Sequence, residues 1–503
     1  MTGTVRIERG SYHDSVTLMR ASAAARDTPG VDTVIAAMGT ELNRALLVQA
    51  GFPAPDATAD DLVVAVSADD AAAAEHAIAA VDRLLAERRA STPRAGDRQH
   101  APRTVESAAA RAPGAGVVLV SVPGPHAYVE AVAALRAGRH VMVFSDGVDV
   151  AAEVALKREA SALGRLVMGP DCGTAILDGV GLGFANVVVP GPVGLVAASG
   201  TGPQQLCCLL DGAGIGVRHV LGVGGRDLSS AVGGASTLVA LATLDDDPAV
   251  EVIGVVSKPP DEAVAEAVMA AAAWCRTPVV LALVGRGRPT LTDAAAEIAG
   301  VLGAPFAEPQ WWRPSGGRGS PRGGPVLGLF SGGTNGAEAL VVLEEHLGPV
   351  RSNVHHDPSR RIGPNDAPGA VHAVFDLGDD ELTAGRPHPM IDPAVVADRV
   401  TSAGDRPDGP GVVLLDVVLG HGAHPDPAAV LAPALTAARA AGAATVAVLV
   451  GTDGDPQGLD RQARALVDAG AIVHRSNASA AEEAAALTSG AGALPVGTRS
   501  SRR

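Results

Sequence analysis

Short, unbroken apolar runs recur along the 503 residues, each closed by a glycine-rich polar turn and followed by an alanine-rich stretch. Runs of this length predict buried strands, and the alanine-rich stretches between them predict helices. The run at 193–198 leads into Ser199-Gly200-Thr201-Gly202 and then Pro203-Gln204-Gln205-Leu206, an order of strand, tight turn and helix. Pro203 suits a first helical turn, where the backbone N–H groups lack partners in any case. The same order returns at Gly328-Leu329-Phe330 followed by Ser331-Gly332-Gly333-Thr334-Asn335-Gly336.

The repetition extends past the loops. Behind the first come strands ending at Gly222, at 252–257 and at 278–285; behind the second come strands at 373–376, 412–420 and 445–451. This pattern predicts an internal duplication of one α/β unit. In parallel sheets ligands collect beyond the carboxyl ends of the strands, where both glycine loops lie.

Taken in order, residues 1–90 predict a small α+β module of βαβ type. Its strands fall at 5–8, 34–38 and 62–67, and its main helices at 14–25 and 69–89. Thr40 is expected to cap a helix there rather than to touch a ligand. Residues 91–114, rich in Pro, Arg and Gly, read as a linker. Residues 115–190 predict a partial Rossmann-like domain of the CoA-binding type, without an opening strand and G-x-G-x-x-G turn. Residues 191–310 and 325–490 predict two flavodoxin-like parallel-sheet domains, joined by a connector at 311–324 and followed by a tail at 491–503. The fold class is α/β.

Aromatic residues make up only 2% of a chain that is 47% hydrophobic, so its cores must be built from Ala, Val and Leu. Small side chains let helices press closely on a sheet, as a parallel architecture requires. A net charge of −16 argues against nucleic acid and anionic membranes as partners. No apolar run is long enough to span a bilayer and residues 1–10 do not read as a secretory leader, so the expected compartment is the cytoplasm. Cys172, Cys207, Cys208 and Cys275 lack metal-type spacing, and no metal site is expected.

Candidate chemistry centres on the two loops. A helix N-terminus presents unpaired N–H groups and the positive end of a dipole, which favours an anion. Phosphate-binding residues are therefore expected at Ser199, Gly200, Thr201 and Gly202, and at Ser331, Gly332, Gly333, Thr334 and Asn335. Arg226 and Asp227 are candidate catalytic residues, with a local salt bridge as the alternative. Arg386 and His388 are candidates as well: the Arg to fork onto a carboxylate, the His to move a proton. The alternative is that Pro387 and Pro389 simply pack that loop. Lys258 either caps a helix or pairs with phosphate. Cys172 reads as a small buried hydrophobe, and Cys207 and Cys208 as core residues of the helix behind the first loop.

Several motifs carry a family resemblance. Gly169-Pro-Asp-Cys-Gly-Thr174, Gly183-Phe-Ala-Asn-Val187, Ala198-Ser-Gly-Thr-Gly202, Gly224-Gly-Arg-Asp-Leu228 and Val256-Ser-Lys-Pro-Pro260 resemble the FdrA family, as do Gly385-Arg-Pro-His-Pro-Met-Ile-Asp392 and Asp455-Pro-Gln457. FdrA proteins are relatives of the succinyl-CoA synthetase α subunit, and residues 325–490 are similar to the carboxyl-terminal domain of the β subunit. The resemblance implies a chain that fuses the two halves and omits the ATP-grasp domain. In the related synthetases two helix N-termini face each other across the subunit interface and hold one phosphate, at the positions of the two glycine loops.

The phosphorylated histidine of those synthetases has no counterpart here, because its place reads Gly285-Arg-Gly-Arg-Pro-Thr-Leu-Thr-Asp293. Gly420-His421-Gly422-Ala423 imitates the motif in the other half, as a phosphate carrier or as a solvent-facing loop. The resemblance implies carbamoyl transfer: phosphorolysis of oxalurate to oxamate and carbamoyl phosphate, with separate partner subunits in an oligomer. Phosphate is then substrate or product, the organic substrate is a small carboxylate or carbamoyl compound, and CoA stays open as a cofactor. Two alternatives remain, a CoA- and nucleotide-dependent acyl-CoA synthetase and a non-catalytic structural subunit.

Overall fold

The computed structural model describes residues 2–13, 15–90, 102–314, 324–363, 365–366, 369–383, 386–404 and 409–488. The chain forms two compact units: Met1–Ala115 with Asp380–Asp392, and Gly116–Asp379 with Pro393–Arg503.

In the first unit β1 (Thr2–Glu8), α1 (Ser15–Arg26), β2 (Val31–Met38), α2 (Glu41–Gln49), β3 (Leu62–Ala68) and α3 (Ala71–Ala90) alternate. The sheet order is β1-β3-β2, with β3 antiparallel to both neighbours. The βαβ unit expected here is thus a split one, with β3 inserted between β1 and β2. Leu62, Val64 and Val66 pack with Leu18, Val34 and Val81, whereas Val63 and Ala65 pack with Leu47 and Phe52. Burial on both faces explains the unbroken apolar run of β3. Thr40 caps α2, accepting the Asn43 N–H at 3.3 Å.

The expected linker at 91–114 is helical over α4 (Val105–Arg111), which opens with a Thr104/Ser107 capping box. Val105-Glu-Ser-Ala-Ala-Ala-Arg111 is a good helix-forming run once the Pro- and Arg-rich part ends. Residues 91–101 lie outside the described residues.

The second unit opens with β4 (Val117–Val120), α5 (Gly124–Arg136), β5 (His140–Val143), α6 (Val150–Ala162) and β6 (Val167–Met168), a parallel sheet in the order β4-β5-β6. The hairpin β7 (Thr174–Leu177) and β8 (Val180–Gly183) then leaves that sheet and pairs with the next one. That sheet contains β9 (Val193–Ala198), α7 (Thr201–Gly212), β10 (Val217–Gly222), α8 (Ala235–Asp245), β11 (Val252–Ser257), α9 (Glu262–Trp274), β12 (Val279–Leu283) and α10 (Leu291–Val301) in sequence. Its strand order is β12-β11-β9-β10-β7-β8. A boundary at residue 190 therefore cuts off two strands that belong with the following domain.

The last domain runs through β13 (Trp311–Trp312), β14 (Val326–Phe330), α11 (Gly333–Leu347), β15 (Arg351–Ser352) and β16 (Ala373–Asp376). α12 (Asp380–Thr383) falls in the first unit. α13 (Ala394–Gly404), β17 (Val412–Val418), α14 (Pro427–Ala440), β18 (Ala444–Val450), α15 (Leu459–Asp468), β19 (Ile472–His474) and α16 (Asn477–Thr488) follow. The order is β13-β19-β18-β17-β14-β16-β15, parallel except for β13. The expected connector at 311–324 thus begins as an edge strand on β19; residues 315–323, like the tail at 491–503, lie outside the described residues.

The two large sheets share an arrangement. In the first, β9 lies between β10 and β11; in the second, β14 lies between β16 and β17. The strands that follow are laid down first on one side of β9 or β14 and then on the other, which makes the end of each a topological switch point. Both glycine loops stand at such points.

Candidate functional site

Helices α7 and α11 begin beside each other. Thr334, in the first turn of α11, donates its hydroxyl to Ser199 Oγ at 2.6 Å, and Ser199 Oγ also accepts the Gly202 N–H at 3.0 Å. The loops interlock reciprocally. A Cβ on Gly332 would lie 2.6 Å from Thr201 Oγ1, and a Cβ on Gly202 would lie 2.7 Å from Thr334 Cγ2. Each threonine therefore fills the space left by the other loop's glycine. Both helices are capped by glycine, Gly200 and Gly332, with no side-chain cap bond. Two helix dipoles thus bring their positive ends to one place.

Buried hydroxyls around the loops lack partners. Thr201 Oγ1, Thr174 Oγ1 and Ser257 Oγ make no hydrogen bond, although Thr201 and Thr174 are each only 3% exposed. Thr174 Oγ1 lies 4.0 Å from the point where a Cβ on Gly200 would sit. An unpaired buried hydroxyl costs about 1–3 kcal/mol, so such groups mark a place where a ligand or water belongs.

Beneath the second loop lies an acid. Asp416, buried within the apolar run of β17, accepts the Ser331 N–H at 2.6 Å and faces the Asn335 amide at 3.5 Å. Burial pushes its carboxyl up to about 6, against the opposing pull of those hydrogen bonds. Asn335 is wholly buried, and its amide is turned toward Asp416. Its amide oxygen Oδ1 makes no hydrogen bond. The signal in the sequence for Asp376 and Asp416 is a lone acid within an otherwise apolar strand run.

Arg226 and Asp227 belong to a buried network. Asp227, wholly buried, accepts Lys157 Nζ at 2.7 Å, the N–H groups of Ser236 and Thr237, and the Thr237 hydroxyl at 2.6 Å. Lys157 also bonds Glu153 at 2.7 Å and the Val223 carbonyl at 3.0 Å. Arg226 donates to Glu153 and, at 2.8 Å, to the Val148 carbonyl. Both Asp227 oxygens are used inside the protein, where they support the loop after β10. Arg226 keeps part of its guanidinium exposed.

Arg386 and His388 fall in the first unit, the loops in the second. Arg386 is exposed; Gly385 lies outside the described residues. His388 Nδ1 accepts the Met390 N–H at 3.2 Å, and desolvation lowers its pKa to about 4. Its ring is therefore neutral at pH 7, the form that can accept but not donate a proton in the transfer expected of it.

Other motif residues join the two halves of the second unit. Asp455 accepts Asn186 Nδ2 at 2.8 Å, the Val187 N–H at 2.7 Å and the Thr452 N–H at 2.8 Å. Gln457 exchanges two hydrogen bonds with the Gly420 backbone. His421 is stitched to Ala185 through its own N–H and carbonyl, leaving the imidazole exposed. Cys172 and Cys207 are buried thiols pushed up to about 12 by desolvation, in keeping with a core role.

The chain is similar to several known proteins. Residues 1–102 match the family described as AllF, heavy metal-associated domain, and residues 329–487 match the CoA-ligase family. Residues 1–102 hold no cysteine, and among the described residues no cluster of His, Cys, Asp or Glu suits a metal. The uncharacterized protein YahF of Escherichia coli (strain K12) is 35% identical over 507 residues, covering 95% of this chain and 97% of that protein. An ATP citrate lyase from Methanothrix soehngenii, solved with citrate and coenzyme A, is 20% identical over 36% of this chain and 31% of its own, with a TM-score of 0.31. A dinucleotide-forming acetyl-coenzyme A synthetase 1 from Ca. Korarchaeum cryptofilum is 18% identical over 74% of this chain and 83% of its own, with a TM-score of 0.29. No described helix is long and apolar enough to cross a membrane.

Proposed function

The chain belongs to the family of Escherichia coli YahF, and from that premise we propose that it is the phosphate-handling subunit of a cytoplasmic carbamoyltransferase. The observation that carries this reading is the interlocking of the two glycine loops within one chain, with buried hydroxyls left unpaired around them. Two helix N-termini supply backbone N–H donors and fixed partial positive charge, an environment suited to a small dianion. The resemblance of the loop-bearing motifs to FdrA proteins supports the carbamoyl chemistry and the need for separate partner subunits.

The reaction balances without a nucleotide. A phosphate oxygen bonds to the carbamoyl carbon of oxalurate, the bond from that carbon to the imide nitrogen breaks, and the phosphate proton goes to the departing nitrogen. The products are carbamoyl phosphate and oxamate. In this scheme the loops hold the phosphate in position and stabilise the charge it carries toward the carbamoyl carbon.

The test is to incubate the chain, alone and with candidate partner subunits, with oxalurate and inorganic phosphate, and to measure oxamate and carbamoyl phosphate. Turnover should depend on phosphate and proceed without ATP. A second reading, an acyl-CoA synthetase, is favoured by the CoA-ligase match at 329–487. Product formation only with CoA and a nucleotide would select it and remove the first.

A further inference from the structure

Lys258 follows β11, the strand that runs beside β9 and carries the unpartnered Ser257 hydroxyl. Its ammonium lies 3.2 Å from where a Cβ on Gly333 would sit and 3.8 Å from the corresponding point on Gly225. Gly333 is the first residue of α11. A cation therefore stands against the positive end of a helix dipole, where it is repelled unless negative charge lies nearby. Among the described residues Lys258 forms no hydrogen bond and no ion pair, although an Asp171 carboxylate oxygen lies 4.0 Å from the same Gly225 point. A carboxylate oxygen of Asp376 lies 2.6 Å from the same Gly333 point. Either glycine, given a side chain, would crowd the lysine.

We propose that Lys258 is an anion-binding residue of the loop site, pairing with the phosphate group held at the start of α11, and that Asp376 limits how much negative charge the site accepts. This rests on the loops binding an anion, and not on the carbamoyl reaction. The observations meet at one point: two helix N-termini, an unpaired ammonium, and the unpartnered, buried Thr201 hydroxyl beside Gly332. A phosphate would receive N–H donors from the backbone and a charge-assisted bond from Lys258, while Asp376 repels a further negative group.

The experiment is calorimetric titration of the full chain with inorganic phosphate, for wild type, Lys258→Met, Lys258→Arg and Asp376→Asn. Lys258→Met should weaken phosphate binding about 10- to 100-fold, as loss of a hydrogen bond between charged groups does. Its Tm without phosphate should match wild type, because the side chain is exposed and bonds nothing. Lys258→Arg should retain most of the affinity, and Asp376→Asn should tighten binding several-fold. Wild-type binding with an unchanged Lys258→Met affinity would overturn the role of Lys258 alone. Weaker binding in Asp376→Asn would overturn the role of Asp376. Absence of phosphate binding by the wild type would remove the loop site and this inference together, whereas binding without turnover on oxalurate would leave this inference standing and remove only the carbamoyl assignment.

Discussion

The Ser331 N–H donates to Asp416 at 2.6 Å, tying the second glycine loop to the neighbouring strand β17. The acid that accepts this bond is buried, and burial favours its neutral form.

Its effect on stability has a definite sign. The Asp416 carboxyl stands near 6 in the folded protein, above its ordinary value of 3.8. Between those values the folded state binds more protons than the unfolded one, so this group's contribution falls as pH rises from about 4 to 6. Asp416→Asn keeps an acceptor for Ser331 without the buried charge. It should raise Tm above pH 6 and lose that advantage near pH 4, in thermal melts of the two proteins side by side. The gain corresponds to about 3 kcal/mol at most; a variant less stable at pH 8 than at pH 4, relative to wild type, would contradict the assignment.

The loop contact is sensitive to single methyl groups. Gly332→Val should push Thr201 away and separate the loops, removing phosphate-induced thermal stabilisation at a structural cost of about 1–3 kcal/mol. Gly200→Ala serves as the control, since the nearest atom to the added Cβ is Thr174 Oγ1 at 4.0 Å. Equal phosphate responses in both variants would show that the interlock is irrelevant to binding.

The buried charges around Asp227 should behave as a unit. Lys157→Met leaves Glu153 and Asp227 without their shared cation and should destabilise by about 3–5 kcal/mol. Replacing Lys157 and Asp227 together by apolar residues should recover part of that loss. A denaturant series on the two single variants and the double variant measures the coupling, and strictly additive effects would rule out the network.

His388 should titrate near pH 4, well below an ordinary imidazole. Because its folded pKa is depressed from 6.5, its share of stability is present above pH 6.5 and is lost as pH falls toward 4. An NMR titration of the ring protons tests this. A midpoint above 6 would restore His388 as a proton carrier at neutral pH.

The chain announced its loops because glycine, threonine and proline at strand ends have few other uses. Ser199–Gly202 and Ser331–Gly333 were legible as paired turns, and their strands were legible from apolar runs. The partners of those turns were not, because Asp416, Thr174 and Ser257 reach the site only through sheet order. Arg226 and Asp227 looked catalytic since a charged pair after Gly-Gly at a strand end reads the same whether it faces a ligand or Lys157. The hairpin at 174–183 escaped because its short strands borrow their hydrogen bonds from a domain that begins later in the sequence.

Both loops ride on one polypeptide. Their meeting is therefore a unimolecular event, set by a tether and by hydrogen bonds such as Asn186 to Asp455. A pocket divided between separate subunits comes apart on dilution, whereas a tethered one keeps the same effective concentration of its second half at any protein level. Phosphate affinity in this chain should accordingly stay flat as the protein is diluted, and the recruitment of partner subunits is free to regulate turnover without also assembling the anion cradle.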